Sequence, residues 1–225
     1  MVVATPSLAQ SKFRIATLKE KQGRTKAGPG YVVEAHYPVF APPFPAVGNA
    51  LIKSLVTKHV ARFKKEYGEY AQYRGSQDIV SCYFSLHCGQ EFANEAVVAL
   101  LLAEESFQGG AHPSHAQEAV MISPRTGGRL TPSQCFRPGS PWLATLSRYC
   151  VKDLQSHKGL DADSIAIGAG PIAANYTQVL PGPKGLTVYF QEYQVGPYSA
   201  GPQQVTVPYS ALRDIIEPGG PLNGH

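Results

Sequence analysis

The feature that most constrains this chain is a single change of hydrophobic period. From Ala46 to Gly68, Val47, Leu51, Leu55, Phe63 and Tyr67 fall on one helical stripe, with Ile52, Val56 and Val60 beside it. A long amphipathic helix ending near Gly68 follows. Lys53, Lys58, Arg62, Lys64 and Lys65 lie mostly off the stripe and read as a solvated face. On either side the pattern is strand-like. Tyr31 to Phe40 reads YVVEAHYPVF, and Ile79–Leu86, Ala96–Phe107 and Ala116–Ile122 follow the helix. A helix this apolar on one side needs a sheet to cover it, and adjacent strands joined by short turns make that sheet mainly antiparallel.

A second helix opens at Ser140-Pro141, with Ser as N-cap and Pro in the first turn. Trp142, Leu143, Leu146, Cys150 and Leu154 form its apolar face. Strands are expected at Ile165–Ile167, Asn175–Leu180, Leu186–Tyr193 and Gln204–Val207, then a short helix over Ser210–Ile216. The fold class is α+β: a mainly antiparallel sheet with two main helices packed on one face, in two layers. Residues 1–27 read as an N-terminal segment that hides a short first strand. Residues 28–218 read as one domain, divided softly at 94/95, and 219–225 as a fraying tail.

Composition narrows the function classes. Lys+Arg 20 against Asp+Glu 16 leaves a net charge of +4, too small and scattered for a nucleic-acid surface. Gly 22 and Pro 19 suit a turn-rich fold. No apolar run approaches the roughly 20 residues of a membrane helix. Ser7 and Ala9 stand at signal-peptidase spacing, so Met1–Ala9 reads either as a signal remnant or as an untidy terminus. Cys82, Cys88, Cys135 and Cys150 show no CxxC pair and no clustered His. Export favours two local disulfides, Cys82–Cys88 and Cys135–Cys150; the alternative is four buried thiols. No metal centre, cofactor or catalytic residue is assigned.

Two loops stand out. Gly109-Gly110-Ala111-His112 ends the longest strand, where the glycines set a bend and His112 hydrogen-bonds across it. Tyr193 leads into Gly196-Pro197-Tyr198, which presents a ring on a stiff backbone; the plainer reading folds Tyr198 into the core. Glu104 and Glu105 are adjacent on a strand and point to opposite faces. They give the alternative of a glycan hydrolase using Glu104 or Glu105 with His112, with Glu118 and Glu192 on other strands.

The order GGAH (109–112), TGGRL (126–130), the Trp142–Leu154 helix, Asn175-Tyr176, Tyr189-Phe190, YQVGPY (193–198) and VPYSAL (207–212) resembles a known module. It is similar to the extracytoplasmic domain of RsiV-type, lysozyme-sensing anti-sigma factors. The same module precedes some peptidoglycan deacetylase domains and occurs alone in exported bacterial proteins. The resemblance covers roughly residues 95–216, more weakly the part before. It implies a periplasmic or secreted, non-catalytic binding module of the cell envelope, whose partner is a lysozyme-like protein or a cell-wall glycan. Tyr193, Pro197, Tyr198, Gly109, Gly110 and His112 are the expected binding residues. The four cysteines are not part of the pattern. No sigma-binding segment, membrane helix or deacetylase domain is read here, so a signalling role is not implied.

Overall fold

The computed structural model describes residues 12–25, 28–74 and 81–223. Ser7, Ala9 and the signal reading they carry lie outside the described residues. Among the described residues, β1 (Phe13–Gln22) pairs antiparallel along its length with β2 (Tyr31–Phe40). Helix α1 (Ala46–Arg74) then carries the chain over to β3 (Cys82–Ala93), which runs parallel to β2. That parallel pair is why a long helix interrupts the strands, since a hairpin cannot join parallel neighbours. β4 (Val98–Phe107), β5 (Ser114–Ile122) and the short β6 (Arg129–Leu130) complete a six-stranded sheet in sequence order.

The remainder builds a second unit. Helices α2 (Trp142–Leu154) and α3 (Ala162–Gly168) precede a three-stranded sheet of β7 (Val179–Pro181), β8 (Gly185–Phe190) and β9 (Gln203–Pro208), followed by α4 (Tyr209–Leu212). The alternation of β4 and β5 joins the two units. Val98, Leu100, Leu102, Val120 and Ile122 pack with Ile52, Val56, Val60 and Phe63 of α1 in one core. Val97, Ala99, Ala119 and Met121 point the other way, into a core with Leu146, Cys150 and Leu154 of α2 and the apolar face of the second sheet.

The α+β class and the mainly antiparallel sheet are therefore as expected, but the layering differs. The two main helices do not share a face: α1 covers one side of the large sheet, and α2 belongs to the unit on the other. β1 is a full strand of the sheet, so the fold begins well before residue 28. Helix α1 runs past Gly68 to Arg74, because Gly68 is not among the glycines at positive φ and so makes no left-handed cap. Val47 is 64% exposed and lies off the buried stripe. Residues 165–167 are helical rather than extended, in α3, which Asp161 caps by accepting from the Ser164 amide at 2.8 Å. Tyr176 closes a turn of 3-10 helix before β7. α2 starts at Trp142 with Pro141 at the cap, and Ser140 does not cap it. The expected helix over 210–216 is shorter, because Ile216 leaves it to bridge Phe136. Residues 219–223 form turns anchored by the fully buried Leu222 instead of fraying.

The cysteine pairing is corrected as well. Cys82, Cys88, Cys135 and Cys150 are all buried thiols. Cys82 and Cys88 sit on the same face of one extended strand. Six residues at roughly 3.3 Å each separate them by about 20 Å, whereas a disulfide needs Cα atoms within about 7 Å. Cys135 instead places its Sγ 4.0 Å from Met121 Sδ. Burial pushes the Cys88, Cys135 and Cys150 thiols up to about 12.

Candidate functional site

The β4–β5 hairpin turn and the segment after β8 meet at one end of β4. Gly109, at φ +86, and Gly110, at φ +152, make the turn possible, and a Cβ at Gly109 would collide with the Tyr70 hydroxyl. The turn delivers His112, whose ring stacks on Tyr198 with centroids 3.7 Å apart and planes at 23°. The Tyr193 ring lies 5.8 Å from Tyr198, tilted by 36°. The Pro113 carbonyl fixes both rings by accepting from His112 Nδ1 at 2.8 Å and from the Tyr198 hydroxyl at 2.9 Å. So His112 is exposed and bonds to its neighbour's carbonyl, not across a buried bend. Tyr198 is half-buried against the hairpin, with Pro197 exposed just before it.

Side-chain amides hold the second loop in place. Among the described residues, the edge of β5 facing the second unit has no partner strand over 114–119, so its backbone groups need other partners. Gln191 supplies them at Gln117, accepting from the amide at 3.0 Å and donating to the carbonyl at 2.8 Å. Gln178 accepts from the Ala119 amide at 2.7 Å. Gln194 closes the loop by accepting from the Gln191 amide and donating to the Gly168 carbonyl, both at 3.0 Å. With its ends pinned, the loop holds Tyr193 at φ 64, a conformation costly for a bulky L-residue, with the residue 66% exposed.

A cleft of about 470 Å³ opens beside the rings, lined by His115, Gln117, Gln191, Glu192 and Tyr198 among others. His115 Nδ1 lies 2.9 Å from Glu192. On the next strand Glu105 accepts from the Tyr83 hydroxyl and holds that phenol above its usual value.

On the opposite face lies a buried ionic cluster. His59 of α1 places Nδ1 2.5 Å from Glu104 and Nε2 2.8 Å from Glu118, with His59 and Glu104 side chains each 9% exposed. Arg62 pairs with Glu104, and Arg129 lies 2.7 Å from Glu118. The bond to Glu104, then that to Glu118, raises His59 to about 9. The bond to His59, with help from Arg129, lowers Glu118 to about 2. Both ring nitrogens are donors here, so the imidazole has no lone pair to act as a base. Glu118, lowered by the same contacts, is not held protonated for acid work. The cluster clamps α1 to β4 and β5.

Residues 134–210 match the family model described as a protein of unknown function, DUF3298. A curated relative, the peptidoglycan-N-acetylmuramic acid deacetylase PdaC of Bacillus subtilis strain 168, is 23% identical over 173 residues, 75% of this chain and 36% of that protein. The chain thus spans about a third of that relative. The fold is shared with two solved DUF3298 proteins. One, from Pseudomonas aeruginosa PAO1, has TM-score 0.67 and 17% identity, covering 94% of this chain and 97% of the other. The second, from Bacteroides fragilis NCTC 9343, has TM-score 0.65 and 16% identity, covering 95% and 96%. No helix of the described residues is long and apolar enough to cross a membrane.

The structure brings the expected residues Gly109, Gly110, His112, Tyr193, Pro197 and Tyr198 to one end of the molecule. It separates the pieces of the hydrolase alternative. Glu104 is tied to His59 and Arg62, Glu105 faces Tyr83 and His115, and the His112 ring turns to Tyr198. Sequence reasoning missed His59, Gln117, Gln178, Gln191 and Gln194. A polar residue at position 59, between Val56, Val60 and Phe63 on the apolar side of the helix, was the available signal.

Proposed function

We propose that this chain is an exported, non-catalytic binding module of the bacterial cell envelope, and that it recognises a cell-wall glycan through the two joined loops. One observation carries the reading: Tyr193, a bulky aromatic, is held exposed at φ 64 beside a cleft rich in carboxylate and amide groups. Backbone strain of that kind persists where the surroundings enforce it, and such sites cluster at ligand contacts. A flat ring offers a face for a sugar's apolar C–H side, while Glu192, Gln117 and Gln191 border the space where hydroxyls would lie. The peptidoglycan deacetylase relative supports a cell-wall ligand.

The lysozyme-like partner implied by the resemblance is the second reading. The half-exposed Glu105 beside the aromatic cluster is the group a cationic protein would meet. Co-sedimentation with purified peptidoglycan tests the first reading, and a pull-down with lysozyme the second. Peptidoglycan should retain the wild-type chain and release Tyr193→Ala. Retention of both equally, or of neither, overturns the glycan assignment to these loops, and lysozyme capture sensitive to Glu105→Ala would replace it with the protein partner.

A further inference from the structure

At the other end of β4, about 30 Å from the aromatic loops by strand length, lies a larger groove of about 1120 Å³. That is slightly above the usual range for small-molecule sites, roughly 300–1,000 Å³. Its aromatic element is Trp142, half-buried and stacked on the buried Phe136 with centroids 5.1 Å apart and planes at 8°. Around it stand four charged side chains, Arg125, Arg137, Glu95 and Glu217. Among the described residues, none of the four forms an ion pair with another.

Their backbones are nevertheless held firmly. Asn94 Oδ1 accepts from the amides of Ala96 and Val97 at 2.8 and 2.9 Å, which fixes the turn carrying Glu95. Ser123 and Gly128 close the turn carrying Arg125, amide to carbonyl, at 2.9 Å. The Glu217 amide donates to the Cys135 carbonyl at 3.0 Å, and the Arg137 amide to the Ile215 carbonyl at 2.8 Å. Two cations and two anions are thus presented around an aromatic surface on rigid loops, with little ordering left for a ligand to induce.

We infer that this groove binds a short zwitterionic peptide segment. Its free carboxylate lies with Arg125 and Arg137, its ammonium with Glu95 and Glu217, and a side chain or peptide plane rests against Trp142. Guanidinium forks suit a carboxylate and carboxylates suit an ammonium, so the two kinds of charge read the two ends of the peptide. The site does not depend on the glycan reading.

The chain has one tryptophan, so Trp142 emission reports on the groove directly. The full chain would be titrated with dialanine, with N-acetyl-dialanine and with dialanine amide. The expected result is a saturable change with free dialanine and an affinity at least about tenfold weaker when either end is blocked. Arg125→Ala should weaken dialanine by a similar factor and erase the difference between dialanine and its amide. Glu95→Ala should do the same for the acetylated form. Both charged side chains are exposed, so the variants should keep their fold, checked by circular dichroism. No saturable change at millimolar dialanine, or equal binding of free and blocked peptides, overturns the inference.

Discussion

His59 on α1 and Glu118 on β5 are joined by a 2.8 Å hydrogen bond through the interior between helix and sheet. With Glu104 on the other ring nitrogen, this contact ties the crossover helix to the two strands that also carry the candidate site. Removing the ring leaves two sparsely exposed carboxylates with one cation each. His59→Ala is therefore expected to cost about 3 kcal/mol, as breaking a buried pair usually does. Urea denaturation of the variant checks this; a change within error of zero would reduce the cluster to surface decoration.

The same contact sets a pH profile. His59 is raised from 6.5 to about 9 in the folded chain, so its contribution is complete below pH 6.5 and is lost as pH rises through 9. Glu118 is lowered from 4.5 to about 2, so its contribution is complete above 4.5 and is lost as pH falls through 2. Stability should plateau between these limits. The alkaline decline should disappear in His59→Gln, measured by denaturation midpoints across pH. A midpoint that rises from pH 7 to 9 would contradict the assignment.

Cysteine accessibility gives a third expectation. Thiol titration without reductant should find four reactive groups after denaturation and almost none before, since all four are buried. Burial makes four thiols compatible with the proposed export, because an oxidant in solution does not reach them in the folded chain. Fewer than four thiols in the denatured protein would mean a bridge that this geometry does not contain.

Tyr193→Gly separates binding from folding. Glycine adopts φ 64 without the steric penalty of a side chain, so stability should hold or rise by up to about 1 kcal/mol. Glycan binding should fall together with the lost ring. Calorimetric melting and co-sedimentation on one preparation read both, and a clear drop in melting temperature would mean that the ring is structural.

The parts of this architecture legible in sequence are those written as periodicity. The stripe of Val47, Leu51, Leu55, Phe63 and Tyr67, with Ile52, Val56 and Val60 beside it, marked α1, and β-branched, aromatic and apolar runs marked β2 and β4. The loop residues were legible because Gly109 and Gly110 and the Gly196-Pro197-Tyr198 run carry turn chemistry. Long-range packing was not. Whether α2 shares a face with α1 depends on which side of β4 Ala99 and Leu100 address, and both are apolar. Ile165 and Ile167 read as strand by composition, while Asp161 capping Ser164 decides for helix. The partners of His59 lie on two strands, 45 and 59 residues away in sequence, beyond any local pattern.

The central claim is that the rings joined at His112 and Tyr198, with Tyr193 5.8 Å from Tyr198, receive a glycan. Amide chemical-shift mapping with a chitotriose titration tests it most directly. The account expects saturable shifts confined to residues 108–117 and 191–202, abolished in Tyr193→Ala while the rest of the spectrum is unchanged. Shifts absent from these loops at millimolar sugar, or concentrated elsewhere on the molecule, would contradict it.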